Sequence, residues 1–225
     1  MPSVSRAPQS FTPDLALAFS ALPLFPLPQT VLFPGALLPL HVFEPRYKAL
    51  VRDVLNTHRM LSVVLIADSS DVDEHGHPRI APIAGAGMII EHIELSDGRF
   101  NILLKGHSRV RLRELPFVAP YRRAEATVLE SHAGPANPWD SAALSALAFS
   151  LTALMQKSDA AFQLHLPKES EPETLLNICA QGLVFDPHER QEILEIDDIS
   201  ARMQRVIEVL SMQRMMLSGE DRDLN

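Results

Sequence analysis

The chain has 225 residues, 46% of them hydrophobic and 21% charged, with 20 Lys and Arg against 28 Asp and Glu for a net charge of −8. That acidic balance argues against a dedicated nucleic-acid binder, which needs a basic surplus to neutralise phosphates. A mean hydropathy of +0.04, with no apolar run near the ~20 residues of a bilayer span, argues against a membrane chain, and the single cysteine, Cys179, excludes an internal disulfide or a cysteine-rich zinc site.

Residues 1–20 are expected to form an N-terminal extension. They hold Arg6 and the start of the apolar patch "LALAFSALPLF", but Asp14 precedes that patch and no clear h-region or cleavage site follows. The expectation is a cytoplasmic protein rather than a secreted one.

Residues 21–131 are expected to be β-rich. The segment "FPLPQTVLFPGALLPLHVFEPRY", residues 25–47, is largely apolar yet carries five prolines. Proline removes a backbone donor and fixes φ, which argues against a helix or a central strand. The spacing predicts an extended piece at Val31-Leu32-Phe33, a turn at Pro34-Gly35 and a second extended piece from Leu37 to Phe43, broken at Pro39. Glu44 then caps a helix with Pro45 at its first position, whose buried stripe is Tyr47, Leu50, Val51, Val54 and Leu55. Farther along, "LSVVLIA" (61–67) reads as a strand, "DSSDVDEHGHP" (68–78) as an acidic loop, and "GMIIEHIEL" (87–95) and "RFNILLKG" (99–106) as a hairpin turned by Ser96-Asp97-Gly98. "HSRVRLREL" (107–115) and "YRRAEATVLE" (121–130) complete a run of closely spaced antiparallel strands, the pattern of a small barrel or folded-over sheet.

Residues 136–220 are expected to be a small helical bundle. Asn137 and Pro138 open "WDSAALSALAFSLTALMQKS". Ser170-Glu171-Pro172-Glu173 has the form of a capping box before the helix of Cys179, with Gly182 as its stop, and Asp186-Pro187-His188-Glu189 opens another. A last helix starts near Asp198, with Met203, Val206, Ile207 and Leu210 at helical spacing. Cys179 lies four residues from both Leu175 and Leu183, the position of a buried, inert thiol.

These residues resemble the Lon N-terminal domain family. The resemblance rests on "LPLFPLPQTVLFPGALLPLHVFEPRYKALV", with Leu24, Pro26, Leu27, the Val31-Leu32-Phe33-Pro34-Gly35 turn, Leu38-Pro39-Leu40, Phe43-Glu44 and Arg46-Tyr47. It extends through Gly85, Gly87 and Gly106, which sit where the family places glycines, to "QEILEIDDISARMQRVIEVL", and so spans about residues 22–215. The resemblance implies an α+β fold, a PUA-like antiparallel β pseudo-barrel followed by a C-terminal helical bundle, and a role in binding unfolded or damaged protein segments. No Gly-Lys pair occurs in the chain, so no phosphate-cradling loop of the G-x-x-x-x-G-K-[ST] type is present. With no room left for an ATPase or a serine-lysine protease module, the expectation is a standalone, non-catalytic copy without a cofactor.

The candidate reactive groups read as structural. No serine stands in a nucleophile motif. His75 and His77 beside Asp68, Asp71, Asp73 and Glu74 have ligand chemistry but lie in one short acidic loop, so no metal site is expected. Glu44, Arg46 and Tyr47 are expected to cap the helix and tie it to the sheet. Arg109, Arg111 and Arg113 alternate on one strand, with Arg122 and Arg123 following. They can either pair with carboxylates such as Glu91, Glu94 or Glu125 across strands or form a basic face for RNA, the alternative function. Peptide binding needs only an exposed edge or groove with apolar pockets. Phe25, Leu27, Phe33, Phe117, Met212 and Met215 are the candidates, with Met203 and Met216 in the same methionine cluster. The expected partners are unfolded or hydrophobic segments and a protease or chaperone encoded elsewhere. The oligomeric state is left open.

Overall fold

A computed structural model describes residues 5–6, 14–132, 138–164, 166 and 171–223 of the chain. The chain divides into two compact units, Met1–Leu129 and Glu130–Asn225, and the fold is α+β.

In the first unit the elements are β1 (Ser5–Arg6), α1 (Leu15–Ser20), β2 (Leu22–Leu27), β3 (Leu37–Val42), α2 (Pro45–Leu55), β4 (Met60–Val72), β5 (Pro78–Ile80), β6 (Ile83–Glu94), β7 (Phe100–Glu114) and β8 (Arg123–Leu129). Asp14 caps α1, its side chain accepting from the Leu17 N–H at 3.0 Å. The strand order is β1-β6-β4-β2-β8-β7-β3, and β6 also pairs with β7, so the path β6-β4-β2-β8-β7 returns upon itself. The sheet is mixed. β2 and β4 run parallel, from Leu24 against Ser62 to Leu27 against Leu65, while the other pairs are antiparallel.

The prolines depart from expectation in two places. Pro23 and Pro26 lie in β2, which sits between β4 and β8. A strand there tolerates them because it uses its two sides in turn: Leu22 and Pro23 pair with β8, and Leu24 to Leu27 pair with β4. Pro39 does not break β3, which is unbroken from Leu37 to Val42 but is an edge strand paired only to β7, where a missing donor costs nothing on the open side.

The segment Val31–Ala36 forms no strand. It crosses β6 and β7 where they carry glycine, and its Leu32 and Phe33 are fully buried. A β-carbon on Gly85 would overlap the Leu32 carbonyl, and one on Gly106 would overlap the Phe33 carbonyl. The Gly35 N–H donates to the Gly106 carbonyl and the Gly106 N–H to the Ala36 carbonyl, both at 2.9 Å. Gly35 makes the turn with φ +80°. The three glycines of the sequence pattern are thus the bed on which the Pro34-Gly35 turn lies, two of them by touching its backbone and Gly87 by touching the Leu32 side chain.

Gly106 does not end a strand. β7 runs continuously from Phe100 to Glu114, with its register against β6 shifting between Ala86 and Gly87, opposite Ser108 and Gly106. The acidic stretch is strand as far as Val72, paired irregularly with β5, and the Ser96-Asp97-Gly98 turn joins β6 to β7 with Gly98 at φ +76°. The principal core gathers Phe25, Leu32, Tyr47, Leu50, Val51, Val54, Ile89, Phe100, Ile102 and Leu104. Burying side chains of this size stabilises by roughly 1.5–3 kcal/mol each.

The second unit contains α3 (Pro138–Ser158), α4 (Pro172–Leu183), α5 (Pro187–Glu195) and α6 (Ile199–Asp223). Leu144, Leu151, Leu176, Cys179, Leu183, Ile193, Leu194, Val206 and Leu210 are buried. Asp186 caps α5 by accepting from the His188 and Glu189 N–H groups, and Asp198 accepts from the Ala201 N–H at the start of α6. Asn137 and Ser170 lie outside the described residues. Glu171 is the N-cap of α4 without a side-chain cap bond, and Glu173 instead accepts from the buried Arg202 at 3.1 Å. Arg202 also donates to the Ile196 carbonyl, Ser131 Oγ and Asn177 Oδ1. Gly182 is not a stop: α4 continues to Leu183, and the small residue admits the Leu164 side chain. Among the described residues no helix is long and apolar enough to cross a membrane.

Candidate functional site

The motif Phe43-Glu44-Pro45-Arg46-Tyr47 brings an extended chain into α2. Glu44 has the φ and ψ of an N-cap but makes no cap bond. Its carboxylate instead accepts from Arg46 Nε at 2.9 Å. The Arg46 guanidinium lies 4.6 Å over the Tyr47 ring, and Tyr47 stacks on Phe25 with ring centroids 4.2 Å apart. The result is a column from a half-exposed ion pair down to a core phenylalanine, in which each layer orients the next. Burial raises the Tyr47 hydroxyl above its ordinary pKa, with the Arg46 charge acting in the opposite direction.

Beside this column lies a cavity of about 170 Å³, whose lining includes Leu24, Pro26, Leu27, Pro28 and Ile66 as apolar floor and Glu44, Arg46 and Arg122 as charged rim. Tyr121 and the hairpin tip at His77 and Pro78 complete it. The Tyr121 hydroxyl donates to Asp53 at 2.6 Å, and burial together with that carboxylate pushes its pKa up to about 12. Arg122 donates to Glu114 at 2.8 Å and to the Pro78 carbonyl at 2.8 Å, tethering the wall before β8 to the hairpin tip. His77 stands edge-on to Phe117 at 4.5 Å and His75 tilts against it at 4.9 Å, while Asp73 accepts from both of their backbone N–H groups.

The candidate residues therefore separate. Leu27 lines the cavity, whereas Phe117 is half-buried against the two histidines, of which His77 lines the cavity. Phe25 and Phe33 are corrected: both are core residues, one stacked under Tyr47 and the other fully buried on the glycine bed, so neither offers a surface. Phe43 is exposed. Met212 and Met215 lie on α6 of the second unit, exposed by 44% and 71%, whereas Met203 of the same cluster is buried. That unit also exposes Trp139 and Phe149, each by 79%, which sequence spacing did not single out.

The arginine stripe is not one exposed face. Arg109 is buried, Arg113 pairs with Glu125, and Arg122 pairs with Glu114. The strand alternates as read, but β7 is covered on both faces at Arg109 and Val110. Among the described residues, no group of three or more His, Cys, Asp or Glu side chains is placed to hold a metal ion. Cys179 is fully buried, and burial pushes its thiol pKa up to about 12. Pro26, Pro28, Ile66, Pro120, Tyr121 and Arg122 were not anticipated as cavity residues. Ile66 lies within β4, and the others come from the end of β2 and from loops, where no periodicity marks them; only the pairing of tyrosine with proline in "APYRR" hints at a wall.

The model of the ATP-dependent protease La (LON) substrate-binding domain family matches residues 21–212. The chain is 28% identical over 199 residues to Lon protease 2 of Myxococcus xanthus and 30% identical over 199 residues to Lon protease 2 of Syntrophobacter fumaroxidans. Those matches take in 87% and 85% of this chain but 24% of each relative, so the chain spans about a quarter of the length of these proteins. The crystal structure of a Lon N-terminal domain protein from Xanthomonas campestris superposes with TM-score 0.59 at 27% identity, covering 84% of this chain and 97% of that one. The N-terminal domain of a Mycobacterium avium complex Lon protease shares the fold at TM-score 0.61 and 14% identity, covering 85% of this chain and 98% of that one.

Proposed function

The chain belongs to the LON substrate-binding domain family, and from that premise we propose that it is a non-enzymatic module that binds exposed hydrophobic or unfolded protein segments, working in the cytoplasm as an adaptor or regulator in protein quality control. The observation that carries the reading is the cavity beside Tyr47: an apolar floor of Leu24, Leu27 and Ile66 under a rim of Glu44, Arg46 and Arg122. A segment passing over such a floor can seat one apolar side chain in it while the flanking polar groups of the segment meet the rim. Arg46 and Arg122 are each held by a carboxylate, so the rim is pre-organised and binding does not have to order it.

Recognition of this kind needs no nucleotide. The expected partners are segments that a folded protein hides, handed on to a protease or chaperone encoded elsewhere. The test is aggregation of a chemically denatured model protein, followed by light scattering without ATP. Dose-dependent suppression that is weakened by Leu27→Asp supports the reading. Undiminished aggregation in the presence of folded protein would end it, as would steady cleavage of a fluorogenic peptide abolished by a single substitution.

A further inference from the structure

Beside Tyr121 lies a second cavity, of about 250 Å³, between α1, the start of β2 and α2. We infer that it is a carboxylate site whose ligand is the C-terminal end of a bound polypeptide with an apolar last residue, Arg123 taking the carboxylate. The inference rests on the segment-binding reading and specifies which part of a client this chain holds.

Arg123 is the first observation. The arginines of the first unit are mostly committed: Arg6 to Glu91, Arg52 to Glu94, Arg79 to Asp71, Arg99 to Asp97, Arg113 to Glu125 and Arg122 to Glu114. Arg123 lines the cavity and is half-buried. Its backbone carbonyl accepts from the Leu115 N–H at 2.9 Å, while no carboxylate among the described residues lies within ion-pair distance of its guanidinium. A partly desolvated guanidinium is satisfied best by a planar two-oxygen acceptor, which a chain terminus supplies.

His58 is the second. Its Nδ1 accepts from the Met60 N–H at 3.0 Å, so the neutral ring carries its proton on Nε2 and keeps one donor for a ligand. Burial lowers its pKa, which favours the neutral form.

The walls decide what surrounds the carboxylate. Leu17, Ala21, Pro23 and Val54 make them apolar. The volume falls below the ~300–1,000 Å³ of clefts that enclose drug-sized ligands, so it suits an end group rather than a long segment. Asp53 also lines this cavity, one of its oxygens accepting from Tyr121; its charge opposes any anion there, so Arg123 must offset it and a ligand with a second acidic group is excluded. Tyr121 lines both cavities. The two cavities therefore adjoin at that one residue.

The probes are N-acetyl-leucine and N-acetyl-leucinamide, titrated into the isotope-labelled full chain while the Arg123 Nε–H resonance is followed. The acid is expected to bind roughly ten- to hundredfold tighter than the amide, the worth of one charged hydrogen-bonded pair. That preference should vanish in Arg123→Gln, weaken in Arg123→Lys and persist in Arg111→Gln. Equal binding of acid and amide, or an unchanged preference in Arg123→Gln, overturns the site. The denatured-protein assay separates the two readings. Suppressed aggregation with no acid preference rejects terminal capture and leaves segment binding standing, whereas an acid preference confined to Arg123 without suppression keeps the carboxylate site and rejects segment binding.

Discussion

Replacing Gly106 by alanine adds one methyl group where two backbone segments of the first unit are in close contact. The new β-carbon would overlap the Phe33 carbonyl oxygen and lie 2.8 Å from its carbon and 3.2 Å from Pro34 Cα. These neighbours are backbone, so no side-chain rotation relieves the clash. Forcing the two segments apart costs about 1–3 kcal/mol for overpacking. It also stretches the two 2.9 Å bonds between Gly106 and the Gly35 and Ala36 backbone, each worth about 0.5–1.5 kcal/mol net. A loss of roughly 2–6 kcal/mol follows, against a total of about 5–15 kcal/mol for an ordinary domain. Equilibrium urea unfolding followed by far-ultraviolet circular dichroism measures it, with Gly76→Ala as the control. Gly76 has φ +75° and no atom within 4 Å of an added β-carbon, so alanine there costs only the left-handed backbone penalty of about 1–2 kcal/mol. A Gly106→Ala protein no less stable than Gly76→Ala would refute the idea that the turn is seated by close backbone approach.

Three further outcomes are expected. Arg202→Met should destabilise the second unit by about 1–3 kcal/mol, since it takes the guanidinium donor away from the Ile196 carbonyl and the buried Asn177 Oδ1; far-ultraviolet circular dichroism at rising urea reads it. Tyr121 stays protonated in the folded chain to about pH 12, while an unfolded tyrosine ionises near pH ~10. Its contribution to stability is therefore complete below pH ~10 and lost as pH rises through about 12, which tyrosinate absorbance and urea midpoints will show; Asp53→Asn should lower the midpoint of that ionisation, and Tyr121→Phe should remove it. Cys179, with a thiol pKa pushed up to about 12 by burial, should be inert to a thiol-reactive disulfide at pH ~8 until urea is added, and rapid native labelling would contradict its burial.

What the sequence disclosed and what it hid follow from the range of each physical signal. Period and capping are local, so α2, α5, α6 and the Ser96-Asp97-Gly98 hairpin were legible from Pro45, Asp186, Asp198 and Gly98. Partnering is not local. Nothing near Pro23 or Pro26 says that β2 divides its hydrogen bonds between β4 and β8, and Gly106 looked like a break because its reason, the Phe33 carbonyl, lies 73 positions earlier in the chain. The short helix α1 was missed because one polar residue, Asp14, carries its whole start signal. At the site, Leu27 and the Glu44-Arg46-Tyr47 motif were visible, but Phe25 and Phe33 were misplaced. An apolar aromatic beside prolines reads the same whether it faces solvent or core, and only the stack on Tyr47 and the glycine bed decide.

The returning strand path has a kinetic meaning. The β6–β7 hairpin joins neighbours in the chain and can zip early, but the β2–β8 seam brings Leu22 to Ala124, a long loop whose closure entropy must be met before any contact rewards it. During synthesis the ribosome must release residue 124 before β2 finds that neighbour. Until then the β8-facing side of β2 stays open even with β4 in place, the same kind of greasy edge the protein is proposed to shelter in others.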